Sequence, residues 1–466
     1  MKLKKILIDY LLGNKTLFKM IYICVVMLSA VPYIHDKIGS YVKYILVWGL
    51  FLVLIDMIKS KGRMLLDKYV VLLMLFCVAY GVTILLNRGA FFSESIKSLI
   101  YMAMSFLVVF YIEPSKEREE VKKEAELISR EIIILTFILS VVCFITFLFQ
   151  INIKYKIDGQ AFYIGMRQNR LWGLYNPNIG ATLALVSCLL SSFSISVIRK
   201  KYWTIFAGCN IVVQFLMIVL TLSRTVTYGA YIGLFFLLIL LMPFFVPKIS
   251  GKTVKNILSR ILISVLIIGL LFGVIKVGEK TLYKVPELIS VDAKAAQADT
   301  DLAVESDNQR EDVGADTKGG VLNGRQYLWK AGFQVFKTAP VFGVAKENIY
   351  EKGKELVEIK SFRKAFKRSG LHNIYITVLA ASGIVGFLIL MIFILFGLKD
   401  VYKGCRHIKT IRGNEWFIVM TFIVFLYFIM EMFEARILYE VNINFLMFWT
   451  FLGYAISLSR GFRHKA

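Results

Sequence analysis

The sequence predicts an all-α, polytopic integral membrane protein with about twelve transmembrane helices and a large extracytoplasmic loop between helices nine and ten. Three observations predict this. Hydrophobic residues make up 58% of the 466 residues, against about 45–50% in a soluble domain. The excess falls in runs of about 18–22 residues, the length a helix needs to cross about 30 Å of hydrocarbon. Every second connection between runs is basic, as expected when Lys- and Arg-rich loops stay cytoplasmic. An ordinary soluble enzyme is excluded. The formal net charge of +24 follows from the topological bias and gives no reason to expect nucleic acid as a partner.

In chain order the spans are expected near 17–34, 41–58, 69–86, 96–112, 130–150, 177–198, 202–221, 226–246, 257–277, 374–398, 415–431 and 440–458. Basic residues set the orientation: Lys2 to Lys19 before span one, Lys59 to Lys68 after span two, and Lys116 to Lys123 after span four. The pattern continues through Arg199-Lys200-Lys201, Lys248 to Arg260, Lys399 to Arg412 and Arg460 to Lys465, placing both termini in the cytoplasm. The N-terminal stretch has no signal-peptide cleavage pattern, so the first run reads as an uncleaved anchor. Cys24, Cys77, Cys143, Cys188 and Cys209 lie in apolar runs and Cys405 in a basic loop, without metal spacing; they read as small core hydrophobes.

Three regions result: spans one to nine over 1–277, an extracytoplasmic loop over 278–373, and spans ten to twelve over 374–466. Residues 286–320 are rich in Ala and acids and poor in aromatics, a composition expected to remain disordered. The following part, 324–370, is expected to form amphipathic helices. Leu328, Ala331, Gly332, Val335 and Phe336 recur at helical spacing after an Asn323 cap, and Lys360, Arg363, Lys364, Lys367 and Arg368 form one basic helical face. That face suits anionic bilayer lipid or a charged substrate drawn toward the surface. Residues 151–176 are expected to be a shorter outward loop.

Charges are nearly absent from the middles of the spans and collect at their outward ends: Arg170, Arg224, Glu431, Glu434, Arg436 and Glu440. An ion channel or proton relay would place charge deeper. Arg224 sits in a very short connection, where it either snorkels to lipid phosphates or binds an anionic ligand. Asn176-Pro177 has a structural explanation as a helix cap and first turn, whereas Arg170 has none beyond an exposed loop position. His372 precedes span ten as the sole histidine of the large loop, and an imidazole at such a boundary suits proton acceptance near neutrality. Asp299-Thr300-Asp301 matches an acidic metal-binding tripeptide, but within low-complexity sequence it carries little weight, so no metal site is expected. No phosphate-binding loop, HExxH, GxSxG or dinucleotide fingerprint occurs.

Gly324-Arg325-x-x-x-Trp329, Pro340-x-x-Gly343, His372-Asn373 and Gly383-x-x-Gly386, in that order, resemble the signature of the O-antigen ligase and polymerase superfamily. Its integral-membrane members, the Wzy-type polymerases included, build surface polysaccharides. Arg170-x-x-Gly173, Asn176-Pro177-Asn178 and Ser223-Arg224-Thr225 are similar to earlier motifs of that family, so the resemblance covers roughly residues 165–390. It implies glycosyl transfer, without metal or other cofactor, from a polyprenyl-diphosphate-linked oligosaccharide donor to a lipid-linked repeat-unit acceptor on the outer face of the cytoplasmic membrane. It implies that Arg170 and Arg224 hold the donor diphosphate, that His372 is the base, and that Arg325 is a further substrate-binding residue. Glu431, Glu434 or Glu440 as base or nucleophile is the alternative, with Arg436, Arg363 and Lys367 completing a charged rim.

Within the family we expect polymerisation, since ligases that load lipid A presuppose an outer membrane that nothing in the sequence signals. Ligase-type transfer to another acceptor is the alternative. Membrane lipids, a flippase and a chain-length regulator of the same pathway are the further expected partners. A secondary transporter or lipid-linked oligosaccharide flippase stays open as a different class, although internal repeats, broken helices and midplane ligand groups are not evident in the sequence.

Overall fold

Each apolar run becomes helical, because a backbone in hydrocarbon satisfies its N–H and C=O groups within its own segment. The computed structural model describes residues 12–38, 41–157, 160–167, 170–251, 253–286, 324–357, 363, 366–367 and 370–461. In order, the first helices are α1 (Lys15–Ser29), α2 (Pro32–Ile38), α3 (Val42–Lys59), α4 (Lys68–Leu86), α5 (Phe92–Ser105) and α6 (Arg118–Leu148). After strands β1 (Asn152–Ile157), β2 (Gln160–Arg167) and β3 (Arg170–Gly173) come α7 (Pro177–Ile198), α8 (Lys201–Thr221), α9 (Arg224–Phe245) and α10 (Val254–Leu282). The remaining helices are α11 (Arg325–Thr338), α12 (Ile349–Gly353), α13 (Ile374–Arg406), α14 (Glu415–Met430) and α15 (Ile443–Arg460).

Eight helices among the described residues are long and apolar enough to cross a membrane, rather than the twelve expected: α4, α5 with the π-turn that extends it to Phe110, α6 to α10, and α13. Of the other expected spans, α1 and α14 are short, α3 carries Lys43, Asp56 and Lys59, and α15 ends on Arg460. The first expected span is two helices, because Pro32 cannot continue α1. Helix α6 starts twelve residues before the expected span. Its polar first turns hold Glu119 and Glu120 near the positive end of the helix dipole, and the Glu119–Lys122 and Glu126–Arg130 pairs lie along one face.

Neutral polar side chains tie the helices that carry the site. Asn210 of α8 donates to Ser187 and Ser191 of α7 at 2.9 and 2.7 Å, and Gln214 links Asn210 to Ser140 of α6. Amides and hydroxyls that satisfy one another pack membrane helices without burying charge.

The segment 151–173, expected to be a loop, is instead a three-stranded antiparallel sheet in the order β1-β2-β3. Asn152-Ile153-Lys154-Tyr155-Lys156-Ile157 alternates polar and apolar residues, and its partner run starts after Asp158-Gly159, a hairpin signature. The sheet ends at Gly173, with φ +59°, where a Cβ would come within 2.4 Å of the Cys143 sulfur of α6. Only glycine permits that seat, which explains the spacing Arg170-x-x-Gly173.

Helix α13 is broken at Gly383, which has φ 63° and ψ −168°, although no broken helix was expected. The turn and following irregular segment 340–345 fill the break. Ile384 N–H donates to the Pro340 carbonyl at 2.8 Å, Val344 N–H to Ala380 at 2.9 Å, and Ala345 N–H to Ala381 at 3.1 Å. A Cβ on Gly343 or Gly383 would sit about 2.3–2.6 Å from the opposing backbone, so the two glycines fit against each other where side chains cannot.

Contacts define two ends of the bundle. At one, the N-terminus of α4 meets the C-termini of α13 and α15 through Lys68–Asp400 and Asp67–Arg460, and Arg118 of α6 meets Asn414. At the other gather the C-termini of α4, α8 and α14, the N-termini of α5, α7, α9, α13 and α15, the helix α11 and segment 340–357. The expected disordered tract 286–320, apart from Pro286, lies outside the described residues. So do Asn323 and, in the basic face, Lys360, Lys364 and Arg368.

Candidate functional site

The second end is built on helix caps. Asn176 accepts from Asn178 N–H at 3.0 Å with Pro177 in the first turn of α7, as expected. Asn373 accepts from Ile376 N–H at 3.0 Å at the start of α13 and donates to the Met432 carbonyl at 3.0 Å. The latter bond docks His372, its neighbour, against the 431–442 connection. Ser223 precedes α9 and donates to Asn178 at 2.8 Å, and the expected amphipathic helix α11 starts on Arg325.

These caps converge on Glu434. Its carboxylate meets His372 Nδ1 at 3.2 Å, a guanidinium nitrogen of Arg436 at 3.2 Å and one of Arg325 at 3.6 Å, and accepts from Asn178 Nδ2 at 2.9 Å. Arg325 also donates to Thr225 at 3.2 Å. Glu434 is 6% exposed. Burial by itself would raise its pKa, but Arg436, the bond to His372 and Arg325 hold it well below the usual carboxylate range. The neighbouring Glu431 goes the other way: burial pushes it up to about 8, against a bond from Arg436 N–H at 2.8 Å. One ionised carboxylate therefore faces two guanidinium groups and an imidazole, leaving a surplus of positive charge.

The backbone here is strained. Leu222, Ala345, His372 and Tyr439 have φ between +48° and +66°, a region that costs non-glycine residues free energy and recurs at functional sites. Each immediately precedes or forms part of the site: Ser223, Lys346, His372 and Glu440.

A cavity of about 410 Å³ opens beside the centre, within the size range of small-ligand sites. His372, Glu434 and Arg436 line it, together with Lys346, Glu347 and Tyr350. Lys346 pairs with Glu440 at 2.7 Å.

The residues singled out in the sequence fall into three groups. His372, Arg325, Glu434 and Arg436 come together, and Glu440 and Lys367 line the same cavity. Arg170 and Arg224 flank the centre through the α8–α9 junction: Arg170 Nε donates to the Thr221 carbonyl at 3.0 Å, and Arg224 is exposed between Ser223 and Thr225, both bonded into the site. Two rim assignments need correction. Glu431 is 2% exposed and acts as an internal brace, its carbonyl accepting from Ile374 N–H at 2.9 Å. Arg363 turns back on its own segment, to Glu355 at 3.1 Å and the Val357 carbonyl. Among the described residues no group of three or more His, Cys, Asp or Glu side chains could hold a metal ion; Asp299 and Asp301 lie outside them. Sequence reasoning missed Glu347, Lys346 and Asn178 as cavity or centre residues. The proximity of Lys346-Glu347 to Pro340-x-x-Gly343 was the available signal.

Residues 209–391 match the family model described as O-antigen ligase. Over those residues the chain is similar to the O-antigen ligase family. The match bears out the superfamily to which the motifs pointed. No curated protein matches the chain in sequence. The matched stretch runs from α8 into α13 and contains Arg224, Arg325, His372 and both glycines of the α13 break. Arg170, Glu434 and Arg436 lie beyond its bounds, so the carboxylate that collects Arg325 and His372 comes from a later part of the chain.

Proposed function

We propose that this membrane glycosyltransferase-type chain is a polysaccharide polymerase. It transfers a glycan from a polyprenyl-diphosphate-linked donor to a lipid-linked repeat-unit acceptor on the outer face of the cytoplasmic membrane, without a metal or other cofactor and with inversion. The observation that carries the reading is the surplus of positive charge about Glu434, beside an imidazole and an open cavity at one bundle end.

Chemistry follows from those groups. With the Nδ1 proton of His372 held by Glu434, Nε2 carries the free lone pair and can accept a proton. The acceptor hydroxyl oxygen attacks the anomeric carbon of the donor while its proton passes to His372 Nε2. The bond from that carbon to the diphosphate oxygen breaks, its electron pair leaving with the polyprenyl diphosphate. Negative charge develops on the leaving oxygen, where pre-placed Arg436, Arg325, Arg170 and Arg224 stabilise it without reorganisation. One displacement inverts the anomeric centre, and Glu434, engaged by four partners, serves as orienting carboxylate.

Purified chain supplied with lipid-linked repeat units in detergent tests this. A ladder of products without any membrane gradient is the expected result; absence of product overturns it. Two specific observations favour other readings. The family model's description favours ligase-type transfer, which would give single addition to a different acceptor instead of a ladder. The break in α13 is a transporter-like feature, and gradient-free product formation separates an enzyme from a flippase.

A further inference from the structure

We propose that the cavity wall formed by Glu347, Tyr350 and Phe366 is the binding subsite for the acceptor's attacking sugar, with Glu347 holding its hydroxyl groups. The inference rests on the transferase reading above. A general base works only within hydrogen-bond reach of the proton it accepts, so the acceptor sugar lies in the cavity that His372 lines. That cavity has two chemically different walls. The Glu434 centre, built on α7, α9 and α11, presents the cationic surplus that suits a diphosphate. The wall from segment 346–350 rests on α4 and α5 and has no such surplus, since Lys346 is neutralised by Glu440 and the charge of Lys367, which also lines the cavity, is offset by that of Glu347.

Glu347 is the unusual member of this wall. Its carboxylate accepts from Ser95 at 2.7 Å, Ser98 at 3.1 Å and Tyr80 at 3.2 Å, and among the described residues it has hydroxyl partners and no ion pair. Tyr80 in turn accepts from Lys346 N–H at 3.1 Å. A carboxylate offers about four acceptor positions. Three fixed donors therefore set its orientation and leave capacity for a hydroxyl entering from the cavity, which Glu347 also lines. The rings of Tyr350 and Phe366, packed at 5.5 Å and 65°, lie along the same wall and offer apolar surface to the C–H face of a sugar. Carboxylate, aromatic surface and balanced charge suit a polyhydroxylated neutral ring better than a phosphate.

The test uses full-length purified chain in detergent, a polyprenyl-diphosphate-linked repeat unit as donor and a short-chain lipid-linked repeat unit as the varied acceptor. Glu347→Gln should raise the acceptor KM about tenfold or more, as expected for loss of a charge-assisted hydrogen bond, with kcat and donor KM within about twofold. Glu347→Asp should restore part of the loss. An unchanged acceptor KM, or a fall in kcat alone, overturns the subsite and leaves Glu347 as a brace between the loop and α4–α5. Should Glu347→Gln fail to fold, Tyr350→Leu decides: a raised acceptor KM supports the subsite and an unchanged one overturns it. A wild-type chain that forms no product overturns the transferase reading and the subsite with it.

Discussion

Both ends of the bundle bury acids against bases, but with different stoichiometry. At the α4–α13–α15 end two acids have a cation each: Asp400 takes Lys68 at 2.7 Å and the Tyr69 hydroxyl at 2.8 Å, and Asp67 takes Arg460 at 2.9 Å. At the Glu434 end one carboxylate serves Arg436, Arg325 and His372, the nearby backbone is strained, and a cavity stands open. A matched pair neutralises itself and clamps helices. A mismatched cluster keeps residual positive charge, which suits the anionic donor proposed above.

The predictions test that contrast. His372→Ala should have the largest effect, lowering transfer by about a hundredfold or more with normal membrane insertion; product of wild-type length would remove its role as base. Glu434→Gln should follow, with loss of activity and about 3 kcal/mol or more of stability, because two guanidinium groups lose their buried counter-charge. Its counterpart Asp400→Asn should cost about 1–2 kcal/mol, Lys68 being 43% exposed, with kcat/KM unchanged. Comparable losses of activity in both variants would erase the distinction between the ends. Arg224→Lys should lower transfer about tenfold, since an ammonium cannot reproduce a bidentate phosphate contact; full activity would make Arg224 a lipid anchor.

The smallest effect concerns Glu431, whose folded-state value of about 8 lies above the ordinary 4.5. The folded protein then binds more protons than the unfolded chain across that interval, so stability falls as pH rises from about 4.5 to about 8. Thermal midpoints in detergent should decline with pH over that window more in wild type than in Glu431→Gln. Parallel curves would show that Glu431 does not titrate there.

The general architecture and the cast of the charged centre were legible because both are written in composition. Apolar runs had to be helices, basic loops alternated, Glu434 and Arg436 stood out as charges at span ends, His372 stood just before span ten, and Arg325 came from the motif Gly324-Arg325-x-x-x-Trp329. What escaped notice depended on contacts between distant segments. Glu347 gains its meaning from Ser95, 252 residues away. Gly383 was noticed as part of a motif, but the break it makes in α13 shows only when Val341 and Gly343 come to lie against that turn. The sheet was hidden for another reason, six alternating residues being a weak signal beside so many helical runs, though Asp158-Gly159 was there to be read.

Because α13 takes part of its backbone hydrogen bonding from residues 340–345, it is incomplete as an isolated transmembrane segment. Unsatisfied amides in lipid cost several kcal/mol each, so the newly inserted helix settles fully only when that upstream stretch arrives. Maturation of the helix and erection of His372 at its tip are thereby one event. A chain in which residues 340–345 have not docked therefore has neither a completed α13 nor a settled position for His372.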